Sequence, residues 1–570
     1  MSVTFKDARD FLLTHACDHE SAYRDFRWPE LDRFNWALDW FDQVASGPRA
    51  HQTALWVVDD SGEDTKLTFK QLSQRSSQVA NYFRNLGVRR GDRMMLMLGN
   101  VPALWETILG AMKVGAVIIP TTTLLTSGEL GERIRRGAIR HIVADSDCAG
   151  RFADQSRECT QIAVGSPVSG WHSYDESNGA AKRFEPDGPT SANDPLQLYF
   201  TSGTTSKPKL VVHSHTTYPV GHLSTMYWIG LRPGDIHCNV SAPGWAKHAW
   251  SCVFAPWNAE ATVFAANQSR FNAKRLLEAL VRGQVTTFCA PPTVWRMLVL
   301  EDLGGFKTNL REVVSAGEPL NPEIITHVKR VWGLTVREGY GQTETTALAG
   351  CPSSVPVRAG SMGKALPGYR TAILDPNNHE ATEGELCVLL DPRPTGIMTG
   401  YQLEDGATDR VQGPFHRTGD VVSRDEEGYL TFIGRADDVF KSSDYRLSPF
   451  ELESALIEHP DIVECAVVPS PDPLRSAIPK AFIVLKPGAS ATRETAVSIF
   501  QHVRRVLAPY KRVRLIQFSE LPKTVSGKIR RVELRDMEAV NVQSGERAPL
   551  EFREEDFPEL KAGEASLSAR

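Results

Sequence analysis

A hydroxyl-rich stretch, TSGTTSKPK, occupies residues 201–209 directly after the apolar run LQLYF. Small residues after a strand leave backbone N–H groups open to a ligand, and the hydroxyls of Ser202, Thr204 and Thr205 add further donors. Lys209 adds a mobile positive charge, so the whole set suits a polyphosphate. A solvated Ser/Thr-rich turn has the same composition and stays open as an alternative. The stretch lacks the GxxxxGK signature followed by Ser or Thr, so a P-loop site is not indicated.

Other motifs follow this stretch in a fixed order: YGQTE at 340–344, RTGD at 417–420, GRADD at 434–438 and PKTVSGKIRR at 522–531. Each of them alone is typical of a solvated turn. Together with YFTSGTTSKPK they resemble the core motifs of the adenylate-forming superfamily, which comprises acyl-CoA synthetases, peptide-synthetase adenylation domains and luciferases. The resemblance extends from about residue 30 to 540. The segments SAGEPL and GRADDVFKSSDYRLSPFELESALIEHP look most like the medium-chain acyl-CoA synthetase branch.

The resemblance implies a two-step reaction that uses ATP, Mg²⁺ and coenzyme A. A carboxylate attacks the α-phosphorus of ATP and releases pyrophosphate, and the coenzyme A thiol then attacks the acyl-adenylate and releases AMP. The first step needs charge neutralised on a phosphate that an anion attacks, which positioned donors and Mg²⁺ can supply. The implied partner is therefore a small-molecule carboxylic acid or its adenylate.

The resemblance also assigns roles in the first step. Thr204 acts in catalysis within the phosphate loop, Glu344 acts in catalysis and holds Mg²⁺, and Lys528 bridges the carboxylate and the α-phosphate from a small domain that docks over the site. The other implied nucleotide contacts are Thr201, Ser202, Gly203, Thr205, Ser206 and Lys209 at the phosphates, Thr343 at the α-phosphate, Gly317, Glu318, Tyr340, Gly341 and Gln342 around the adenine, and Asp420 and Arg435 at the ribose.

For the second step the resemblance implies that the small domain rotates about Asp437. The residues implied for the pantetheine tunnel and the coenzyme A phosphates are Ser443, Asp444, Tyr445, Arg446 and Arg475. Trp245, in SAPGWAKHAW, corresponds to the aromatic gate of the acid pocket, which Gly341 and Arg446 border. Trp250 and Trp257 are expected to pack in the core. These tryptophans favour an apolar acid.

Two positions depart from the pattern of the superfamily. Ser206 stands where glycine is usual, and a positive φ there would cost serine about 1 kcal/mol. Asp444 stands where glycine is also usual, and it adds bulk and negative charge beside an anionic cofactor. The adenylation half and the thioester half therefore each contain one unusual residue.

The predicted fold class is α/β. Apolar runs alternate with helical patterns between about 50 and 350, which is typical of doubly wound parallel sheets. Short strands from about 370 indicate a small barrel-like β unit. We expect a large domain over 1–436, a small mobile α+β domain over 437–545, and a charged, flexible tail over 546–570.

Composition excludes several functional classes. The chain has 64 Lys and Arg against 69 Asp and Glu, a net charge of −5, so neither nucleic acid nor a membrane is an expected partner. The N-terminus lacks a leader pattern and the apolar runs are too short to span a bilayer, which favours the cytoplasm. Nine cysteines without a CxxC pair suggest buried side chains rather than disulfides or zinc. A homodimer is left open.

The sequence thus predicts an AMP-forming acid–CoA ligase for an apolar carboxylic acid. The closest alternative is an enzyme that performs one half-reaction only and converts a preformed acyl-adenylate to the acyl-CoA. A non-catalytic nucleotide-binding protein is a third hypothesis, which the presence of Glu344 and Lys528 disfavours.

Overall fold

A computed structural model of the protein describes residues 3–152, 156, 158–201, 209–268, 270–442, 445–473, 475–523, 529–545 and 547–560. The chain divides into two compact units. The first comprises Met1–Ala372, Cys387–His416 and Arg424–Thr431, and the second comprises Ile373–Leu386, Arg417–Ser423 and Phe432–Arg570.

The helices and strands alternate along most of the chain, as the apolar pattern predicted. The helices are α1 Phe5–Thr14, α2 His19–Asp25, α3 Asp42–Ser46, α4 Phe69–Asn85, α5 Pro102–Val114, α6 Ser127–Gly137, α7 Leu223–Ile229, α8 Ala246–Ala249, α9 Ala255–Asn258, α10 Ala273–Arg282, α11 Pro292–Leu298, α12 Pro322–Trp332, α13 Pro449–Ile457, α14 Arg493–Val506 and α15 Arg531–Ser544. The strands are β1 Thr53–Val58, β2 Asp64–Thr68, β3 Arg93–Met97, β4 Val117–Pro120, β5 His141–Asp145, β6 Thr160–Val164, β7 His172–Ser173, β8 Pro195–Thr201, β9 Lys209–Ser214, β10 Ile236–Asn239, β11 Thr262–Ala266, β12 Thr287–Ala290, β13 Glu312–Ala316, β14 Arg337–Gly341, β15 Ala347–Gly350, β16 Lys364–Ala365, β17 Thr371–Leu374, β18 Glu383–Leu389, β19 Gly400–Gln402, β20 Thr408–Arg410, β21 Phe415–Arg424, β22 Leu430–Arg435, β23 Phe440–Ser442, β24 Tyr445–Leu447, β25 Ile462–Asp472, β26 Ser476–Leu485, β27 Leu515–Phe518 and β28 Glu551–Arg553.

Local sequence signals explain where the helices begin and end. Thr68 caps α4 by accepting from the backbone of Gln71, whose side chain returns to the cap residue. The apolar side chains of Leu72, Val79 and Phe83 recur at helical spacing along α4 and are buried. Helix α5 ends at Gly115 with φ +83°, a conformation that favours glycine.

Two nine-stranded sheets dominate the first unit. Their orders are β16-β15-β14-β13-β12-β10-β11-β1-β2 and β20-β19-β9-β8-β4-β3-β5-β6-β7. The central strands β10 to β14 and β3 to β8 pair in parallel, whereas β9, β15 and β2 join antiparallel. The predicted doubly wound α/β architecture is therefore confirmed.

The core of the first unit contains the tryptophans that the sequence assigned to packing. Trp257 is fully buried and its indole N–H donates to the carbonyl of Ala54 at 3.0 Å. Trp250 is 6% exposed and its indole donates to the hydroxyl of Tyr218 at 3.0 Å. Both indoles are satisfied internally, which confirms their expected role as packing residues.

Smaller sheets complete the chain. Strands β17, β18, β21 and β22 form the four-stranded sheet that corresponds to the predicted small β unit. In the second unit, β25, β26, β27 and β28 form another four-stranded sheet, and its core includes α13 and α14. Ser448 caps α13 by accepting from the backbone of Glu451, with Pro449 at the first helical position.

The predicted flexible tail from residue 546 is wrong over residues 547–560. Strand β28 pairs antiparallel with β27, and Phe557 and Leu560 are buried in the core of the second unit. The physical reason is the ammonium of Lys480, fully buried on β26, which donates to Glu538 of α15 and, at 2.7 Å, to Glu551 of β28. Because charged side chains of this segment form ion pairs within the second unit, its polar composition does not mean that the segment is exposed to solvent.

Seven of the nine cysteines are buried, one is intermediate and Cys17 is exposed, and all nine are thiols rather than disulfides. This confirms the expectation that most are small buried side chains. Among the residues described, no helix combines the length and the apolar content that crossing a membrane requires.

We predict that Lys480→Met destabilises the second unit by about 3–5 kcal/mol, because the buried carboxylate of Glu538 loses its cation and Glu551 keeps only Arg553. Hydrogen exchange should accelerate in β28 and α15, and the melting temperature should fall. The exposed Lys486→Met serves as control and should change neither. Unaltered exchange in β28 of Lys480→Met would contradict the role given to this lysine.

Candidate functional site

The YGQTE motif begins at the end of β14, at the carboxyl edge of its parallel neighbours. Gly341 packs so tightly that a Cβ would lie 2.1 Å from the carbonyl oxygen of Thr346 and 2.5 Å from the ring of Trp250. The backbone N–H of Gln342 donates to the hydroxyl of Thr345 at 2.9 Å. The loop that follows Tyr340 is therefore held in one path by its own backbone and by the core beneath it.

His213, on β9, holds the carbonyl of Thr343. Its Nε2 lies 2.7 Å from that oxygen and its Nδ1 lies 3.1 Å from the hydroxyl of Thr217. Burial lowers the pKa of His213 to about 4, so the ring is neutral at neutral pH. Because a carbonyl can only accept, Nε2 carries the proton and Nδ1 accepts from Thr217.

Glu344 is fixed through both its backbone and its side chain. The N–H of Met398 donates to its carbonyl at 2.8 Å, and the hydroxyl of Tyr401 donates to its Oε1 at 2.9 Å. Tyr401 lies on β19, which pairs with β9 directly after the TSGTTSKPK stretch. The Nζ of Lys209 lies 4.8 Å from the Tyr401 ring centroid, a cation–π contact. The structure thus brings Lys209 and Glu344 to one place through Tyr401.

The loop predicted to border the adenine follows β13. Gly317 has φ +112°, which requires glycine, and Glu318 is exposed with one oxygen 3.8 Å from Arg296. Beneath this loop, Glu338 is 5% exposed and accepts from the N–H of Leu320 at 2.9 Å. Burial raises the pKa of the Glu338 carboxyl to about 8.

The segment expected to gate the acid pocket forms the start of α8. Trp245 is its N-cap and is half-buried, in contrast to Trp250 and Trp257. Two residues later, Lys247 donates from Nζ to the carbonyl of Ala316, the last residue of β13, at 2.9 Å. The gate segment and the adenine loop are therefore joined by one hydrogen bond.

In the second unit, Asp420 and Arg435 form the pair expected at the ribose. Asp420 is 4% exposed, and its Oδ1 accepts from Nη1 of Arg435 at 3.0 Å. The Nε of Arg435 lies 3.5 Å from a carboxylate oxygen of Asp437, the predicted hinge. Arg535 of α15 donates to the carbonyl of Asp437 at 2.9 Å. The predicted ribose and hinge residues are thus neighbours.

The residues predicted for coenzyme A lie on separate parts of the second unit. Tyr445, on β24, is 51% exposed and stacks on Tyr510 with 4.2 Å between ring centroids. Arg475 is exposed in the turn between β25 and β26, and Arg446 lies on β24.

Some predicted residues lie outside the described part of the chain, and their roles stay predictions: Ser202, Gly203, Thr204, Thr205, Ser206, Ser443, Asp444 and Lys528. Thr201 is described at the end of β8, where its hydroxyl lies 3.5 Å from the carbonyl of Lys209.

The described protein groups could hold a Mg²⁺ ion only together with a bound ligand that supplies further oxygen atoms. The described residues contain no group of three or more His, Cys, Asp or Glu side chains that could hold a metal. Glu344 offers one carboxylate, and Mg²⁺ is commonly held by one or two carboxylates together with substrate phosphates. The chemistry of the site therefore agrees with an ion that arrives with a nucleotide.

His213, Tyr401 and Lys247 were not identified from the sequence. Each acts through a contact between segments far apart in the chain, such as His213 with Thr343 and Tyr401 with Glu344. The only local signal was the position of His213 in the strand that follows the hydroxyl-rich stretch. Strand pairing of β9 with β19 could not be read from spacing.

We predict that Glu338→Gln flattens the pH dependence of stability. A carboxyl with a native pKa of about 8 and an ordinary value of 4.5 keeps its proton in the folded state, so wild-type stability falls as pH rises from about 4.5 to 8. The loss is on the order of 3 kcal/mol. Denaturant unfolding at pH 5 and pH 8 measures it, with exposed Glu323→Gln as control. Equal slopes in wild type and Glu338→Gln would refute the prediction.

Comparisons with known proteins agree with this geometry. The AMP-binding enzyme family matches residues 41–402, and the AMP-binding enzyme C-terminal domain matches residues 451–528. The 4-hydroxybutyrate–CoA ligase 1 of Metallosphaera sedula is 42% identical over 92% of this chain and 94% of its own. The mitochondrial acyl-coenzyme A synthetase ACSM3 of Rattus norvegicus is 38% identical over 94% of this chain and 96% of its own.

A solved structure supports the same relationship. The anthranilate CoA ligase AuaEII, in complex with anthranoyl-AMP, has a TM-score of 0.81 and 28% identity, covering 90% of this chain and 98% of its own. The predicted resemblance is confirmed by these matches. The chain belongs to the AMP-binding enzyme family, the adenylate-forming enzymes that include acyl-CoA synthetases.

Proposed function

We propose that the protein is an AMP-forming acid–CoA ligase that activates a carboxylic acid with an apolar body. The observation that carries the proposal is the fixed position of Thr343 and Glu344 beside the end of the TSGTTSKPK stretch. His213 binds the carbonyl of Thr343, and Tyr401 binds the carboxylate of Glu344. A preorganised donor and carboxylate at a phosphate are what an attack on the α-phosphorus needs. The relatives named as CoA ligases support the same reaction class.

In the first half-reaction, the chain binds ATP and orients the acid carboxylate toward the α-phosphorus. Thr343 contacts the α-phosphate, and Glu344 holds Mg²⁺, which supplies charge neutralisation when bound. Lys528 donates to the oxygens on which negative charge develops. Tyr340 stacks on adenine, and Asp420, oriented by Arg435, accepts from the ribose hydroxyls.

In the second half-reaction, the coenzyme A thiol attacks the acyl carbon and the AMP oxygen leaves. The proposal requires rotation about Asp437, by resemblance to the superfamily. Within the second unit, Arg535 binds the carbonyl of Asp437 and Arg435 faces its carboxylate, so rotation there must exchange these contacts. Tyr445, Arg446 and Arg475 then meet coenzyme A.

The apolar body of the acid is argued from the gate segment. Trp245 is half-buried as the N-cap of α8, and Lys247 of the same segment donates to Ala316 at the end of β13. The named relatives act on different acids, 4-hydroxybutyrate and anthranilate among them. Their names therefore support an acid of modest size without selecting one.

A second candidate is an enzyme that performs only the thioester-forming half. It is favoured by Ser206, which replaces the usual glycine in the phosphate stretch. Asp444 also replaces a usual glycine, and it argues in the same way against the thioester-forming half.

The cytoplasmic location and the homodimer remain predictions from the sequence.

The decisive experiment measures the two half-reactions separately. Pyrophosphate release is followed with a panel of acids, and CoA-dependent AMP formation is followed from synthetic acyl-adenylates. Wild type should perform both; transfer without pyrophosphate release would favour the second candidate. The variant Ser206→Gly tests whether Ser206 slows pyrophosphate release. The variant Asp444→Gly tests whether Asp444 slows the transfer from the adenylate to coenzyme A.

We predict that Lys528→Ala lowers pyrophosphate release about 100-fold or more, because it removes a cation at developing charge. Transfer from a synthetic adenylate should fall less than about threefold, since the lysine acts in the first half only. Equal losses in both assays would contradict the role given to Lys528.

We predict that Tyr401→Phe raises the Mg²⁺ concentration needed for half-saturation by about tenfold, because Glu344 loses a charge-assisted hydrogen bond that orients it. Mn²⁺ binding in the presence of a non-hydrolysable ATP analogue, measured by paramagnetic resonance, gives a readout independent of turnover. Tyr429→Phe, whose hydroxyl binds Pro356, is the matched control. Unchanged Mn²⁺ affinity in Tyr401→Phe would overturn this assignment.

A further inference from the structure

Two arginines of α6, Arg133 and Arg136, converge on one aromatic ring. The guanidinium carbon of Arg133 lies 4.9 Å from the ring centroid of Phe200, and that of Arg136 lies 5.7 Å from the same centroid. Both are cation–π contacts. Side chains three residues apart on a helix are neighbours, and like charges in such a pair repel each other. Two cations held at one ring are therefore a favourable position for an anion.

The acidic side chains of α6 neutralise these arginines only in part. Glu132 pairs with Arg136, with Oε1 3.3 Å from Nη1, whereas Glu129 accepts from the backbone and the hydroxyl of Thr126 as part of the helix cap. Arg133 forms no hydrogen bond or ion pair with any other residue that the structure describes. A guanidinium carries five N–H donors, so that of Arg133 retains donors for a ligand.

The ring of Phe200 lies at the base of the TSGTTSKPK stretch. Phe200 pairs in register with Leu210, and the next pair along β8 and β9 is Thr201 with Lys209. Because successive side chains of a strand point to opposite faces, Arg133 and Arg136 flank one face of this strand end and Lys209 flanks the other. Positive charge therefore lies on both sides of the point at which the stretch leaves the sheet.

Gln402 fixes α6 beside this strand end. Its side-chain Nε2 donates to the carbonyl of Arg136 at 3.1 Å. The preceding residue of β19, Tyr401, donates to the carboxylate of Glu344. Strand β19 therefore contacts both the helix that carries the arginines and the residue proposed to hold Mg²⁺.

A polyphosphate is the anion that suits this arrangement. Guanidinium groups bind phosphate oxygens through paired N–H donors, and two such groups can hold two neighbouring phosphates. In the proposed first half-reaction, the carboxylate oxygen bonds to the α-phosphorus, the bond from this phosphorus to the bridging oxygen breaks, and the electron pair leaves on pyrophosphate. Fixed cations near the leaving group would stabilise the charge that develops on it.

We propose that Arg133 and Arg136 bind the β- and γ-phosphates of ATP and stabilise the pyrophosphate that leaves. The inference rests on the proposed ligase function and deepens it, because it names the groups that receive the leaving group. Neither arginine lies in a motif that the sequence assigns to the nucleotide.

Calorimetry tests the site independently of turnover. Arg133→Gln should weaken the binding of α,β-methylene-ATP with Mg²⁺ at least about tenfold, since it removes a charge-assisted contact. The affinity for AMP should change less than about threefold, because AMP lacks both terminal phosphates. Exposed Arg135→Gln, on the same helix, is the matched control and should bind both nucleotides as wild type does.

The half-reactions give a second readout. Arg133→Gln and Arg136→Gln should each lower pyrophosphate release at subsaturating ATP at least about tenfold, and each should raise the inhibition constant of added pyrophosphate by a similar factor. Transfer from a synthetic acyl-adenylate to coenzyme A should fall less than about threefold, because that half involves no terminal phosphates. Thermal melting verifies that each variant folds, and Arg133→Gln alone is decisive if Arg136→Gln does not.

Several outcomes would overturn the inference. Equal losses of affinity for AMP and for the analogue in Arg133→Gln would mean that the arginines only hold Phe200. Weaker binding of coenzyme A with unchanged binding of the analogue would assign the site to the phosphates of coenzyme A. No binding of the analogue by wild type would also refute the site.

The same measurements separate this inference from the proposed function. A selective loss of affinity for the analogue, in a protein that forms no acyl-CoA, would support the phosphate site while the ligase function fails. Acyl-CoA formation by wild type, with unchanged analogue binding and unchanged pyrophosphate release in Arg133→Gln, would refute the phosphate site alone.

Discussion

The site depends on how the loop after β14 is held at the edge of the sheet. This loop carries Thr343 and Glu344, and its carbonyls are bound by His213 and by the N–H of Met398. His213 lies on β9, the strand that follows the TSGTTSKPK stretch, and Met398 shortly precedes β19, which pairs with β9. These hydrogen bonds therefore connect the strand that follows the TSGTTSKPK stretch to the YGQTE motif, and both motifs are assigned to the first half-reaction.

The neutrality of His213 is part of that arrangement. Burial without a carboxylate partner lowers its pKa to about 4, so the ring acts as a fixed donor and acceptor rather than as a titrating group. Glu338 is similar: it is buried with a raised pKa and serves the adenine loop as a hydrogen-bond acceptor. Uncharged supports beneath the site leave Lys209 and Glu344 as the charges that a nucleotide and its metal would meet.

Sequence reasoning predicted the architecture well because it relied on local signals. The helix of Leu72, Val79 and Phe83 and the cap at Ser448 are set by neighbours within a few residues. The prediction of a flexible tail was wrong because the charged residues of β28 are buried through contacts with residues distant in sequence. Glu551 of β28 is neutralised by Lys480. For the same reason Tyr401 could not be identified, since its role depends on β19 lying beside β9.

Helix α15 connects motifs of the second unit that are distant in the sequence. It begins directly after PKTVSGKIRR, and its Arg535 binds both the carbonyl of Asp437 and, at 2.5 Å, the carboxylate of Asp438. Its Glu538 is anchored to the sheet by the buried Lys480. Lys480 and Glu538 have side chains that are 0% and 2% exposed, whereas those of Arg535 and Asp438 are 25% and 16% exposed. Because loss of one partner costs more the more completely a pair is buried, the anchor is stronger than the hinge contact. Any rotation about Asp437 would therefore release Arg535 first and leave α15 attached to its own sheet.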